Sequence, residues 1–236
     1  MNNIESISRK KLMQLSFVMV LGFAILGLSI VLREKRIIPE WNGEIYRIEN
    51  VNSLDAAFAH PYNKAVDNAG TLAFIFAHLI VCTVCFLIPG IEAIKKRACL
   101  KAVVFDFIVY VESWAYTFGV YRILKTVGGR IRPYMYFPNP SLKDIAEGDF
   151  ISSWPSGHSS AVFLAGAFLF WWLKDSPMKP ASKKILMAAV LVIGILTMVL
   201  RILSGNHFPT DVLTGAFIGF AVASIVSVAN RKILTN

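Results

Sequence analysis

Six long apolar runs separated by short polar stretches dominate the chain, at about 12–32, 70–90, 102–123, 157–173, 185–203 and 210–229. A helix rises about 1.5 Å per residue, so a hydrocarbon core of about 30 Å takes roughly 17–25 residues to cross. Most of the runs reach that length. The fourth and fifth are shorter, and both abut polar motifs. The pattern predicts an all-α protein: one domain over 1–236, a bundle of six transmembrane helices. Arg9, Lys10 and Lys11 precede the first run, as in a signal peptide. That run is longer than a signal's apolar stretch, and Arg33-Glu34-Lys35-Arg36 follows it instead of a small-residue cleavage site, so it reads as a retained span.

Composition sharpens this picture. Of 236 residues, 56% are apolar and 17% charged, too apolar for an ordinary soluble domain. The net charge of +9 would suit a nucleic-acid binder, but its placement argues otherwise. Basic residues cluster before run one, between runs two and three (Lys95, Lys96, Arg97, Lys101), between four and five (Lys174, Lys179, Lys183, Lys184) and after run six (Arg231, Lys232). These stretches share one side of a six-span topology, which the positive-inside rule makes the cytoplasm. Both termini are then cytoplasmic, and no nucleic-acid partner is expected. The other side holds the connections 33–69, 124–156 and 204–209. The first, with Pro39, Trp41 and Gly43, is expected to include a short helix on the membrane surface. Cys82, Cys85 and Cys99 give no disulfide framework. Cys82-x-x-Cys85 has no second pair and reads as two small apolar residues within a span.

Three clusters carry the candidate chemistry, all on the non-cytoplasmic side. Lys125, Arg130 and Arg132 lie just beyond run three. They read as a snorkelling collar or as a site for an anion, and cations on this side need a reason. Trp154-Pro155-Ser156-Gly157-His158 opens run four. Pro155 and Ser156 suit a helix start, whose free N–H groups attract anions, and Gly157 lets a ligand approach the backbone. A capped helix with an interfacial His is the plainer reading. In the third, Arg201 ends run five, His207 lies in the turn and Asp211 opens run six. Asp211 can there reach back to the His207 ring, fixing its tautomer and freeing the other nitrogen, or make a purely structural contact. Together, these cations, a helix N-terminus and two histidines are the inventory that phosphoryl transfer needs.

Lys125-x6-Arg132-Pro133, then Pro155-Ser156-Gly157-His158, then Arg201-x5-His207-x3-Asp211, resembles the type 2 phosphatidic acid phosphatase (PAP2) superfamily, from about span one to span six. The resemblance implies that His207 attacks phosphorus to form a phosphohistidine, Asp211 supports it, and His158 protonates the leaving oxygen. It implies that Lys125, Arg132, Ser156, Gly157 and Arg201 hold the phosphate, with no metal or other cofactor. Leu200 stands where the family usually has Ser before the third-motif Arg, removing one expected phosphate hydrogen bond; Ser204 lies nearby. Arg130 is not a motif position and is expected to touch the head group or nothing.

The expected activity is hydrolysis of a phosphomonoester or diphosphate of a membrane lipid: phosphatidate, phosphatidylglycerophosphate, undecaprenyl diphosphate or lipid A phosphate. The expected place is a bacterial inner membrane, with the site on its periplasmic or outer face. Two rivals stand beside this reading: a phosphotransferase using the same His nucleophile, and a non-catalytic lipid-phosphate transporter. Asp106 and Glu112, ionisable groups within run three, are expected to make interhelical hydrogen bonds or to mark a boundary position, not to take part in catalysis. Oligomeric state is open.

Overall fold

A computed structural model describes residues 8–95 and 100–235; Lys96, Arg97 and Cys99 lie outside the described residues. Those residues form helices joined by irregular loops, with no strand among them. Helix α1 is Arg9–Glu34 and α2 is the short Ser53–Ala57. Helix α3, Lys64–Cys82, widens into one π turn at Thr83–Leu87 and continues as α4, Ile88–Lys95. Pro89 explains the turn: its ring presses on the carbonyl of Cys85, inside the widened segment, and it has no N–H to offer. Then follow α5 (Leu100–Gly128), α6 (Leu142–Ala146), α7 (Gly157–Asp175), α8 (Pro180–Leu203) and α9 (Pro209–Thr235).

Among the described residues, five helices are long and apolar enough to cross a membrane: α1, α3 with α4, α5, α8 and α9, with mean hydropathies of 1.3 to 2.6. Their outward faces carry apolar side chains such as Phe17 (68% exposed) and Phe217 (73%), a surface suited to lipid and not to water. The chain is an all-α polytopic membrane protein. Of the six expected spans, the fourth is the exception, by composition. Helix α7 has 19 residues, and its first turn, Gly157-His158-Ser159-Ser160, is polar. It is the central helix. Leu164, Phe168 and Leu169 are buried against Val81, Tyr110, Val190 and Val226 of its neighbours.

Helices α7 and α9 pack very closely, and two glycines permit it. A methyl group on Gly215 or Gly219 of α9 would collide with the backbone of Ser156 or Ser160 of α7. Without side chains there, the start of α9 sits directly beside the start of α7, where the Ser156 N–H donates to the Asp211 carbonyl at 3.0 Å. The 204–208 turn joins the same end. Gly205, at φ +74°, lies where a side chain would meet the carbonyls of His60 and Pro61. Above it, Tyr134, Met135, Phe150 and Ile151 form a small apolar cap with Trp41, Tyr46 and Tyr62, locking the loops to the bundle. The 33–69 connection does contain a short helix, α2, and α2 turns inward: Asp55 is fully buried.

Asp106 and Glu112 make the interhelical bonds expected of them. The Trp172 indole donates to Asp106 at 3.0 Å, and the Asn230 amide donates to Glu112 at 2.7 Å.

Candidate active site

The ends of α5 and α8 and the starts of α7 and α9 meet at one end of the bundle. They enclose a cleft of about 420 Å³ lined by Lys125, Arg132, Gly157, His158, Arg201 and His207, among others. The three sequence clusters, at 125–133, 154–160 and 201–211, are thus one site.

His207 is 1% exposed and faces the cleft from the turn before α9. Its Nδ1 lies 2.7 Å from the carbonyl oxygen of Ser153. A carbonyl only accepts, so Nδ1 carries the hydrogen and Nε2 keeps its lone pair. Burial first, then Lys125, Arg132, Arg201 and His158 around it, push the proton affinity of this ring well below the ordinary imidazole value. The ring is neutral, with one nitrogen able to attack.

Asp211 is not the direct partner expected from the spacing. Its Oδ2 stands 3.9 Å from His207 Nδ1, beyond hydrogen-bond reach. The reason is geometric: His207 precedes α9, so the four-residue spacing does not lie on a helix face. The carboxylate instead accepts from the Ser153 hydroxyl at 2.5 Å, the Phe208 N–H at 2.8 Å and the Arg130 guanidinium at 2.5 Å. Arg130 likewise departs from expectation. It touches no open part of the cleft; it bridges Asp211 to Asp55 (2.6 Å) and lies 4.4 Å over the Phe208 ring.

The cations of the motifs converge as expected, each with a partner. Lys125 donates to the Ser152 carbonyl at 2.7 Å. Arg132 pairs with Asp149 at 2.7 Å and also bonds Asn206. Arg201, 3% exposed, pairs with Asp67, and its buried Nε–H has no acceptor among the described residues. Such an orphan donor beside a cleft suits an anionic oxygen. Burial alone would raise the proton affinity of Asp149; Arg132 foremost, then Lys125, Arg33 and Arg36, bring it below the ordinary carboxylate value.

Helix α7 starts at the cleft as its sequence implied. Ser156 caps it, its Oγ accepting the Ser159 N–H at 3.4 Å. Ser156 is fully buried beneath the cleft and does not line it, while Gly157 and His158 do. His158 Nε2 lies 3.2 Å from Thr71 Oγ1, and its ring meets Phe74 edge-on at 5.4 Å. Thr71 gives its own hydrogen to the Asp67 carbonyl, so it accepts from His158, placing a hydrogen on Nε2.

Sequence reasoning missed Asp55, Asp67, Thr71, Asp149, Ser153 and Asn206. Asn52, whose side chain accepts the Asp55 N–H at 3.0 Å, is a legible helix cap, but nothing in the sequence aims that helix at the site. Among the described residues, no group of three or more His, Cys, Asp or Glu is arranged to hold a metal ion.

The fold and the cleft define a membrane-embedded protein in which the three motif cations and two histidines line one cleft. The PAP2 superfamily profile matches residues 106–234, more than half of the chain, and the chain belongs to that superfamily. It is also similar to diacylglycerol pyrophosphate phosphatase 1 of Saccharomyces cerevisiae, at 23% identity over 198 residues. That alignment covers 72% of this chain and 66% of the yeast protein, just under two thirds of its length. No solved structure matches.

Proposed function

We propose that the chain is a lipid phosphate phosphatase that works through a covalent phosphohistidine on His207. The observation that carries this reading is the Ser153 carbonyl on His207 Nδ1, which leaves the Nε2 lone pair at a cleft where Lys125, Arg132 and Arg201 converge. The cations and the first-turn N–H groups of α7 hold the phosphate oxygens. Nε2 attacks phosphorus, the P–N bond forms, and the P–O bond to the lipid breaks. The protonated form of His158 gives its Nε2 proton to the leaving oxygen. Water then attacks phosphorus, His158 takes up its proton, the P–N bond breaks and inorganic phosphate leaves. Asp211 supports His207 at one remove. No step calls for a metal.

The chain reads as one six-span domain with α7 as its central span. Both termini lie on the cytoplasmic side, and the cleft opens at the outer face of a bacterial inner membrane. The substrate is a lipid whose tail stays in the bilayer. Phosphatidate, phosphatidylglycerophosphate, undecaprenyl diphosphate and lipid A phosphate all fit this description, and the name of the yeast relative adds a lipid diphosphate as precedent.

The test is phosphate release by purified protein in detergent from each of these lipids. At least one is expected to be turned over by wild type and none by His207→Ala. Phosphate passing to an added lipid alcohol, with none released to water, would make the protein a transferase. Binding without any turnover would overturn the reading.

A further inference from the structure

The wall behind His207 is more elaborate than a single supporting carboxylate. Asp55, from the short α2, is fully buried. Its Oδ1 accepts the Thr210 N–H at 3.1 Å and so caps α9 from another part of the chain. Its Oδ2 accepts from the Thr210 hydroxyl (2.7 Å), the Asn52 amide (2.7 Å) and Arg130 (2.6 Å). The other terminal nitrogen of Arg130 donates to Asp211 at 2.5 Å and to Thr210 at 2.7 Å. Asp211 takes the Ser153 hydroxyl at 2.5 Å, and the Ser153 carbonyl takes the His207 Nδ1–H at 2.7 Å. Asp55, Arg130 and Ser153 are absent from the cleft lining.

We infer that Asp55 and Arg130 are positioning residues for the nucleophile, acting through Asp211 and Ser153 to hold the His207 ring at its angle to the cleft. This rests on the reading of His207 as nucleophile. A planar fork bridges the two carboxylates while lying over the Phe208 ring, a geometry that lysine does not reproduce. A shift of about 1 Å in the Ser153 carbonyl would let the ring turn away from phosphorus, which can cost about a hundredfold in rate. Phosphate affinity would change little, because Lys125, Arg132 and Arg201 are anchored elsewhere.

The experiment measures kcat and KM of Asp55→Asn, Arg130→Lys and the double variant in detergent, beside melting curves. The substrate is whichever of phosphatidate, phosphatidylglycerophosphate, undecaprenyl diphosphate or lipid A phosphate wild type hydrolyses fastest. Each single variant is expected to lose about ten- to hundredfold in kcat with KM within about threefold, and the double variant to be no worse than the weaker single one. A simple packing defect would lower the melting point without this kcat-against-KM split. Folded variants with wild-type kcat overturn the inference, as does a raised KM at unchanged kcat, which would put Arg130 on the substrate. Should Asp55→Asn not fold, Ser153→Ala decides. It removes the hydroxyl hook on Asp211 and keeps the carbonyl on His207, so kcat should still fall several-fold, and an unchanged kcat overturns the inference. Wild type inactive on every lipid would instead sink the phosphatase reading itself.

Discussion

His207→Asn separates the chemistry of the candidate nucleophile from its structural part. The asparagine Nδ2 stands where the imidazole Nδ1 stood, so the 2.7 Å hydrogen bond to the Ser153 carbonyl has a replacement donor while the attacking nitrogen is gone. Alanine would leave that carbonyl unpaired, at a cost of about 1–3 kcal/mol in stability, and would confuse the two effects. With asparagine the ring atoms removed from a site 1% exposed cost about 1–2 kcal/mol, a visible but survivable drop in melting point. The rate is another matter. Without a covalent path only the electrostatic cradle of Lys125, Arg132 and Arg201 remains, and kcat should fall about 10³- to 10⁵-fold, or about 4–7 kcal/mol in activation free energy. The assay is phosphate release from the preferred lipid in detergent, with a rapid quench of wild type on ³²P-labelled substrate. Label should remain on wild type in alkali and be lost in acid, as a P–N bond requires, and should be missing from the variant. Turnover above about 1% of wild type in a folded His207→Asn protein would refute the reasoning, since uncatalysed positioning could not supply it.

Three further outcomes follow from the structure. Because the folded chain holds the proton affinity of His207 below that of the unfolded chain, the unfolded state takes up a proton near pH 6.5 that the folded state refuses. Stability should therefore fall as pH drops below 6.5, by up to about 1.4 kcal/mol per unit, while Asp149 loses its contribution only below the ordinary carboxylate range. Melting points between pH 7 and pH 5 should fall more steeply for wild type than for His207→Asn, and equal slopes would contradict this. Gly219→Ala should destabilise by about 1–3 kcal/mol in thermal melts, because its methyl meets the backbone of α7, whereas Gly27→Ala, with nothing within 4 Å, should be neutral or better. A Gly219→Ala protein that melts with wild type would remove the case for close α7–α9 contact. Turnover should be unchanged in EDTA, and its loss there with rescue by Mg²⁺ would require a metal step.

The helices were legible because burial in lipid needs long apolar runs, and the clusters because cations set apart from the basic loops need a reason. What stayed hidden was hidden for different causes. Helix α7 falls short of a lipid-facing span by composition because it is wrapped by other helices and spends its first turn on the cleft. Asp55 lies 155 residues from the Thr210 N–H that it accepts, and a five-residue helix gives no periodicity from which to read that meeting. Arg130, expected at the head group or nowhere, is consumed by two buried carboxylates. The partner of His207 is a backbone carbonyl, which every residue carries and no motif can mark.

That carbonyl also settles an electrostatic conflict at the site. A carboxylate bonded directly to His207 would fix the tautomer, but its charge would stabilise the imidazolium, which has no lone pair to attack with. The Ser153 carbonyl fixes the same tautomer without a full negative charge. The charge of Asp211 is absorbed by Arg130, the Ser153 hydroxyl and the Phe208 N–H. In the reaction proposed above, the cations around the cleft act in one direction on both reactants. They attract the phosphate anion, and they keep the neighbouring imidazole neutral. A second-row carboxylate behind a first-row carbonyl lets one set of positive charges serve binding and nucleophilicity together, which is why moving Asp211 0.5–1 Å closer to the ring, by loosening Arg130, should harm the reaction rather than help it.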